Sequence, residues 1–318
     1  MHILVLGAGG TGGYFGGRLA QSGADVTFLV RPARAAQLDR DGLRIRSALG
    51  DAAFPVAHVT ADALPALAAE RPFDLVLLSC KAYDLESSIE AIAPAVGPGT
   101  AVLPILNGLL HYKALDARFG AGNVLGGLCF ISAVKGDDGE IVHLPSPPSM
   151  TFGERDRARN GSTRTRALEA LCAQASGFEG VRSDDFMQAA WNKFSFLAAL
   201  AAATCLMRAS IGRIVATERG VDFLSALHDE CLAVAAAAGH AIPEAAAGSA
   251  RGLLTQAGSS ATASMLRDLE AGQDVEAAHI VGDMLHRAEA AGIAAPRLQA
   301  AWCHLQAYRS RRATPDIP

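Results

Sequence analysis

Met1-His-Ile-Leu-Val-Leu-Gly-Ala-Gly-Gly-Thr-Gly12 is the stretch on which the fold of this chain turns. Ile3 to Leu6 form a short apolar run of the kind a buried strand requires, and glycines follow at positions 7, 9 and 12. The apolar positions Tyr14, Phe15 and Leu19 then recur with a helical period. Strand, Gly-x-Gly-x-x-Gly and helix, in that order, predict a dinucleotide site. Gly7 permits the tight turn, Gly9 lets the backbone approach a pyrophosphate with no Cβ in the way, and Gly12 lets the helix pack close to the strand. Gly7, Ala8, Gly9, Gly10, Thr11 and Gly12 are therefore the expected cofactor cradle, with the N–H groups of the helix start facing phosphates.

The next strand sharpens the choice of cofactor. Ala24-Asp-Val-Thr-Phe-Leu-Val30 is a second buried-strand run and ends in Arg31, where an NAD-binding chain usually places an Asp or Glu for the ribose 2′-OH. A guanidinium there pairs with a 2′-phosphate that a carboxylate would repel, so NADP(H) is expected over NAD(H). Arg34 is a second candidate contact. The alternative is that both arginines are solvated residues around the helix Pro32 to Leu38.

Outward from this start, strands alternate with helices to about residue 155, with candidate strands at 2–6, 25–30, 74–79 and 100–106. Three more, around 124–134, 139–144 and 149–153, lack convincing helices between them and predict an antiparallel or mixed finish. After about residue 183 helical periodicity takes over, through Asp184 to Leu206, Thr217 to Ala238, Ala261 to Glu270 and Val275 to Ala291. The predicted architecture is an α/β Rossmann-type doubly wound sheet over residues 1–180 and an all-α domain over 181–318, with a reaction cleft between them.

Composition narrows the function classes. The 318 residues carry 19% charged side chains and a formal net charge of −4, with no basic stripe, which argues against nucleic acid. The apolar N-terminal run has no cationic segment before it and leads into glycines, so it does not read as a signal peptide. Phe194 to Met207, nearly uncharged and Ala-rich, is too short to span a bilayer. The six cysteines are scattered without a Cys-x-x-Cys pair, and the nine histidines form no ligand-spaced pair with a carboxylate. A soluble, cytoplasmic protein without a metal or membrane partner is expected. The apolar C-terminal helices fit either a homodimer interface or the domain core.

Three residues carry candidate chemistry. Lys81 follows the third strand and Asn107 the next, at the carboxyl edge of a parallel sheet where ligands bind. Each reads either as a group positioned beside a nicotinamide or as an ordinary loop residue, a solvated lysine and a turn or cap asparagine. Cys80 reads as a small buried hydrophobe. Lys193, in Ala190-Trp-Asn-Lys-Phe194, is the one ammonium of a nearly neutral helix. It either protonates and stabilises the oxyanion formed when a hydride reduces a ketone, or reaches out to solvent.

Taken in order, the glycine motif, Arg31, Cys80-Lys81, Asn107-Gly108, Trp191-x-Lys193, and Ser264-Met-Leu-Arg-Asp268 followed by Glu276 resemble the ketopantoate reductase family over essentially the whole chain. The resemblance implies NADPH-dependent reduction of 2-dehydropantoate to pantoate, a step of pantothenate biosynthesis. It implies Lys193 as general acid, Glu276 as acceptor from the substrate hydroxyl or orienter of the lysine, and Ser264 as ligand of the substrate carboxylate. Lys81 and Asn107 would border cofactor and substrate, with Asn107 touching both. Ser264 and Glu276 lie 12 residues apart and would diverge on one continuous helix; a break at Gly272 would reconcile them.

One departure stands out. The family pattern carries asparagines four and eight residues after the lysine, on its face of the helix, where this sequence has Leu197 and Ala201. Thr204 matches the family's threonine further along that face and is the expected substrate-side hydroxyl. Losing two amide partners predicts a more apolar pocket and a 2-oxo acid substrate less hydroxylated than ketopantoate. Two other readings compete: a 3-hydroxy acid or opine-type dehydrogenase, and a redox sensor that binds NADP(H) without turnover.

Overall fold

Residues 1–313 are described by a computed structural model of the chain. Two compact units divide it: Met1–Leu106 with His111–Phe186, and Asn107–Leu110 with the described residues from Met187 onward. The expected boundary at 180/181 thus falls at 186/187, and the second unit also takes a four-residue piece, 107–110, out of the N-terminal half.

In chain order the strands of the first unit are β1 (His2–Leu6), β2 (Asp25–Leu29), β3 (Leu43–Arg46), β4 (Ala52–Phe54), β5 (Ala57–Val59), β6 (Leu75–Leu78), β7 (Ala101–Pro104), β8 (Gly126–Phe130), β9 (Ala133–Lys135), β10 (Ile141–His143), β11 (Ser149–Gly153) and β12 (Glu179–Arg182). β5-β2-β1-β6-β7 form a wholly parallel sheet. β6 and β7 are buried along their whole length, as continuous apolar runs in a doubly covered parallel sheet should be. The chain moves outward from β1 in both directions, so the β1/β6 pair marks the topological switch, and ligands of such sheets bind outside the carboxyl ends there. The helices α1 (Gly10–Gln21) and α2 (Pro32–Asp41) follow β1 and β2.

Two smaller sheets, β4-β3-β10-β9 and β12-β11-β8, complete the unit. The expected single strand around 124–134 is divided between them, since β8 pairs with β11 and β9 with β10. β3, β4, β5 and β12 were not anticipated by the apolar pattern. They are three or four residues long, and β12 (Glu-Gly-Val-Arg) alternates exposed and half-buried positions with no apolar run to announce it. The helix Thr163–Gln174 also lacks a clear apolar stripe, burying only Thr165, Leu168 and Cys172.

The second unit is helical: Phe186–Met207, Ile211–Val215, Gly220–Ala237, Glu244–Leu254, Ser264–Glu270, a π-helical turn Ala278–Gly282 running into Asp283–Ala290, and Pro296–Ala313. Phe186–Met207 is a 22-residue helix whose single charged side chain is Lys193. Among the described residues it is the one helix long and apolar enough to cross a membrane, but 61% of its most apolar window is buried inside the fold. Trp191 anchors it, buried beneath the Arg287 guanidinium at 5.3 Å, and Arg287 in turn donates to Asp283 at 3.0 Å.

His228, on the helix Gly220–Ala237, is wholly buried and neither ring nitrogen finds a hydrogen-bond partner. Burial, aided by Arg251 and opposed by Asp229, pushes its pKa down to about 4. An unfolded chain takes up this proton near the usual histidine value and the folded chain only near 4, so the stability present above pH 6.5 falls as pH drops toward 4. The loss from this one group should reach about 2–3 kcal/mol. His228→Leu should flatten that acid limb in urea denaturation at pH 7 and 4.5, and gain up to about 1 kcal/mol at pH 7 by removing unpaired polar atoms. An unchanged acid limb would show that other groups drive it.

Candidate functional site

The glycine loop is built as its spacing demands. Gly7 has φ +83° and its N–H donates to Leu29 O at 2.9 Å, which turns the chain sharply at the end of β1. A Cβ on Gly12 would strike Ser79 Oγ and come within 2.7 Å of Gly7 O, so only glycine lets α1 sit this close to the ends of β1 and β6. Ser79 Oγ itself donates to Leu6 O at 3.1 Å, tying those two strand ends together. At Gly9 the situation differs, because a Cβ there would meet no protein atom within 4 Å. The fold does not need that hydrogen; a ligand approaching the backbone would. Gly9 also caps α1 without a side-chain hydrogen bond, leaving first-turn N–H groups to a ligand.

Beside the loop lies a cavity of about 660 Å³, with Gly7, Ala8, Gly9, Arg31, Ser79 and Cys80 among its lining residues. Its place at the carboxyl ends of β1, β2 and β6, its volume and the glycine cradle all fit a dinucleotide. Arg31 is exposed at the N-terminal end of α2. Arg34 Nε donates to Ala8 O at 3.2 Å, bracing the glycine loop from the far side. The wall also includes Thr60, Asp62 and Lys135, which sequence reasoning missed because β5 and β9 were not resolved as separate strands. Lys81 is half-buried, immediately ahead of the 3-10 turn Ala82–Asp84 that follows β6.

A second cluster of expected residues belongs to the helical unit. Lys193 is half-buried, and its Nζ donates to Asn107 Oδ1 at 3.1 Å. Asn107 follows β7 by three residues in the chain, yet it packs with the helices. The reason lies next to it. Gly108 has φ +78°, and a Cβ there would sit 2.5 Å from His279 O, so the 107–110 segment lies against the π-helical turn without room for a side chain. Glu276 is buried just ahead of that turn. π-turns are uncommon and gather at functional sites, and this one separates Glu276 from the regular helix Asp283–Ala290.

Gly272, with φ +69°, ends the helix Ser264–Glu270, and Gln273 N–H closes it on Asp268 O at 2.8 Å, so the expected break is present. Ser264 is exposed as the first residue of that helix. Thr204 is wholly buried: its hydroxyl donates to Leu200 O at 2.7 Å and accepts from Ala263 N–H at 3.4 Å. In this structure that hydroxyl is engaged in holding the entry to the Ser264 helix. Leu197 is half-buried one turn beyond Lys193, whereas Ala201, a further turn on, is wholly buried.

Residues 3–157 match the family described as ketopantoate reductase PanE/ApbA, and residues 185–309 match its C-terminal family, ketopantoate reductase PanE/ApbA C terminal. The chain belongs to the ketopantoate reductase family. A relative from Bacillus subtilis (strain 168), the uncharacterized oxidoreductase YkpB, is 36% identical over 98% of this chain and all of its own length. The crystal structure of 2-dehydropantoate 2-reductase from Methylococcus capsulatus superposes with a TM-score of 0.86, is 28% identical, and is covered over 99% of both chains. D-mandelate dehydrogenase, solved with NADH and anilino(oxo)acetate, shares the fold at a TM-score of 0.83 and 20% identity, over 99% of this chain and 100% of that one. The protein is thus an oxidoreductase of the ketopantoate reductase family.

The family's glycine cradle supplies a direct test. Gly12→Ala should abolish cofactor binding measured by nucleotide fluorescence and cost about 1–3 kcal/mol of stability, because the Cβ meets backbone oxygens that cannot move. Gly9→Ala, with open space around its Cβ, should leave stability unchanged and impair only cofactor binding.

Proposed function

We propose that this protein reduces a small 2-oxo acid to the 2-hydroxy acid with NADPH, and that its substrate carries fewer hydroxyls than ketopantoate. The observation that carries the reading is the Lys193–Asn107 pair, 3.1 Å apart, on a helix face that is otherwise apolar at Leu197 and Ala201. Bound NADPH supplies the hydride that goes to the substrate carbonyl carbon. As that carbon is reduced, negative charge collects on the carbonyl oxygen, and Lys193 Nζ stabilises it and donates the proton. Asn107 Oδ1 accepts one of the three Nζ hydrogens, which helps to fix the ammonium's direction. Glu276, buried nearby in sequence to the π-turn, is the acceptor for a substrate hydroxyl or the second orienting group of the lysine. Ser264, exposed at its helix start, is the ligand for the substrate carboxylate, with Thr204 supporting it through Ala263.

Arg31 and Arg34 favour NADPH, since both line the cavity at the end of β2 and a carboxylate is missing where NAD-selective chains place one. Lys81, after β6, borders the same cofactor. The working compartment is a reducing one, the cytoplasm, in keeping with six cysteines of which none forms a disulfide.

Lys193→Ala should reduce kcat with a 2-oxo acid by about 10²–10⁴-fold and leave the NADPH dissociation constant nearly unchanged. Residual turnover near wild type would remove Lys193 from the chemistry. Leu197→Asn should raise kcat/KM for ketopantoate about tenfold relative to 2-oxoisovalerate, its analogue without the hydroxymethyl group, because an amide returns at an accessible position. An unchanged ratio would separate Leu197 from substrate choice. Ala201→Asn is expected to cost stability instead, since Ala201 is wholly buried.

A further inference from the structure

The β9–β10 hairpin belongs to the small four-stranded sheet, yet it reaches the cofactor cavity. Ala133 of β9 sits on the glycine loop: a Cβ on Gly10 would lie 2.6 Å from Ala133 O. Lys135, two residues further along the same strand, lines the cavity with Arg31 and Arg34. The hairpin tip is pinned to α2 and β3, with Gln37 Nε2 donating to Asp137 O at 3.1 Å and Arg44 donating to Asp138 O at 2.8 Å and Asp138 Oδ2 at 2.7 Å. Gly139, at φ +81°, has no Cβ because one would run into the Arg34 guanidinium. The hairpin is therefore packed directly against the residue that braces the glycine loop.

The charges here do not balance within the protein. Arg34 is bonded only to neutral acceptors, Ala8 O and Gln37 Oε1, and its Nη2 is buried without a partner. Among the described residues no carboxylate forms a salt bridge with Arg34; burial and the neighbouring Arg44 both work against its charge, with Asp138 and Asp41 supporting it more weakly. Asp138, the near carboxylate, is taken by Arg44. Lys135 Nζ bonds only to Gly136 O, at 3.1 Å. The opposing charges in the cavity wall are Asp62 and Asp84. Arg31, Arg34 and Lys135 thus outnumber the two carboxylates in the wall of a dinucleotide-sized cavity.

We propose that the β9–β10 hairpin is a cofactor-selecting element, in which Lys135 acts as a further cationic contact to the ribose 2′-phosphate alongside Arg31 and Arg34. This rests on the NADPH reading above. A 2′-phosphate carries nearly two negative charges at neutral pH and supplies what three cations lack. Lys135 contributes a point charge on a flexible stem, and its strand is held in place by the Gly10 and Gly139 contacts.

The test measures dissociation constants of NADPH, NADH, adenosine 2′,5′-bisphosphate and AMP on the full chain carrying Lys135→Gln, Arg31→Gln, or Lys113→Gln as an exposed control outside the cavity. Lys135→Gln should weaken NADPH and the bisphosphate about tenfold and leave NADH and AMP within about twofold, while Lys113→Gln changes none of them. Equal weakening of NADPH and NADH would place Lys135 at the shared pyrophosphate and overturn the proposal, as would no change in either. If the wild-type protein binds NADPH and NADH alike and Arg31→Gln does not alter that, the NADPH reading itself fails. If Arg31→Gln alone is selective, the reading stands and the role of the hairpin falls.

Discussion

The close seat of α1 is the constraint on which the first unit depends. Four of its glycines each meet different partners: Gly12 lies on Ser79 and the end of β1, Gly16 on Phe28 and Val5, Gly17 on Leu43 and Ile45, and Gly13 on Ile141. A Cβ at Gly16 would come within 2.9 Å of Phe28 and Val5, and one at Gly17 within 2.8 Å of Leu43 and Ile45. The first pair belongs to the parallel sheet and the second to β3 of the small sheet, so one glycine-lined helix joins the two. Each glycine in a helix costs about 0.5–1 kcal/mol against alanine. Packing Phe15, Phe28, Leu43 and Ile45 into one continuous core offsets that cost.

That joint also determines who lines the cofactor cavity. Because α1 holds β9 and β10 against its own start, a hairpin more than a hundred residues from the glycine loop in sequence becomes one of its walls. The same economy of space governs the helical unit, where Gly108 brings the 107–110 segment onto the π-turn and hands Asn107 to Lys193. In both places a missing Cβ decides which polar side chains meet.

How far this was legible in the sequence follows from how each feature is encoded. β1, β2, β6 and β7 announce themselves because a strand buried on both faces must be apolar throughout. β3, β5 and β12 do not, since their three or four residues mix Arg, His or Glu with apolar positions and their pairing is settled by distant partners such as β10. The Gly272 break was readable as a lone glycine between helical periods. The burial of Thr204 and Ala201 was not, because periodicity gives the face a residue occupies and says nothing of what a neighbouring turn lays across it. Asn107 shows the same limit: its strand was evident, while its membership of the helical unit depends on the conformation of a single following glycine.

The partner chosen for Lys193 bears on the chemistry. A carboxylate in the place of Asn107 would bind the ammonium more strongly and also cancel its charge, which a reductase needs for the developing oxyanion. The amide oxygen of Asn107 orients the group without adding a negative charge of its own. One turn beyond Lys193 the helix presents the half-buried Leu197, which cannot satisfy a substrate hydroxyl. A hydroxyl brought against it would lose its water without gaining a partner, at a cost of about 1–3 kcal/mol. On the proposed reading selection works by exclusion: Lys193 and Asn107 would recognise the carbonyl that every 2-oxo acid has, and the apolar Leu197 would turn away substituents that need hydrogen bonds.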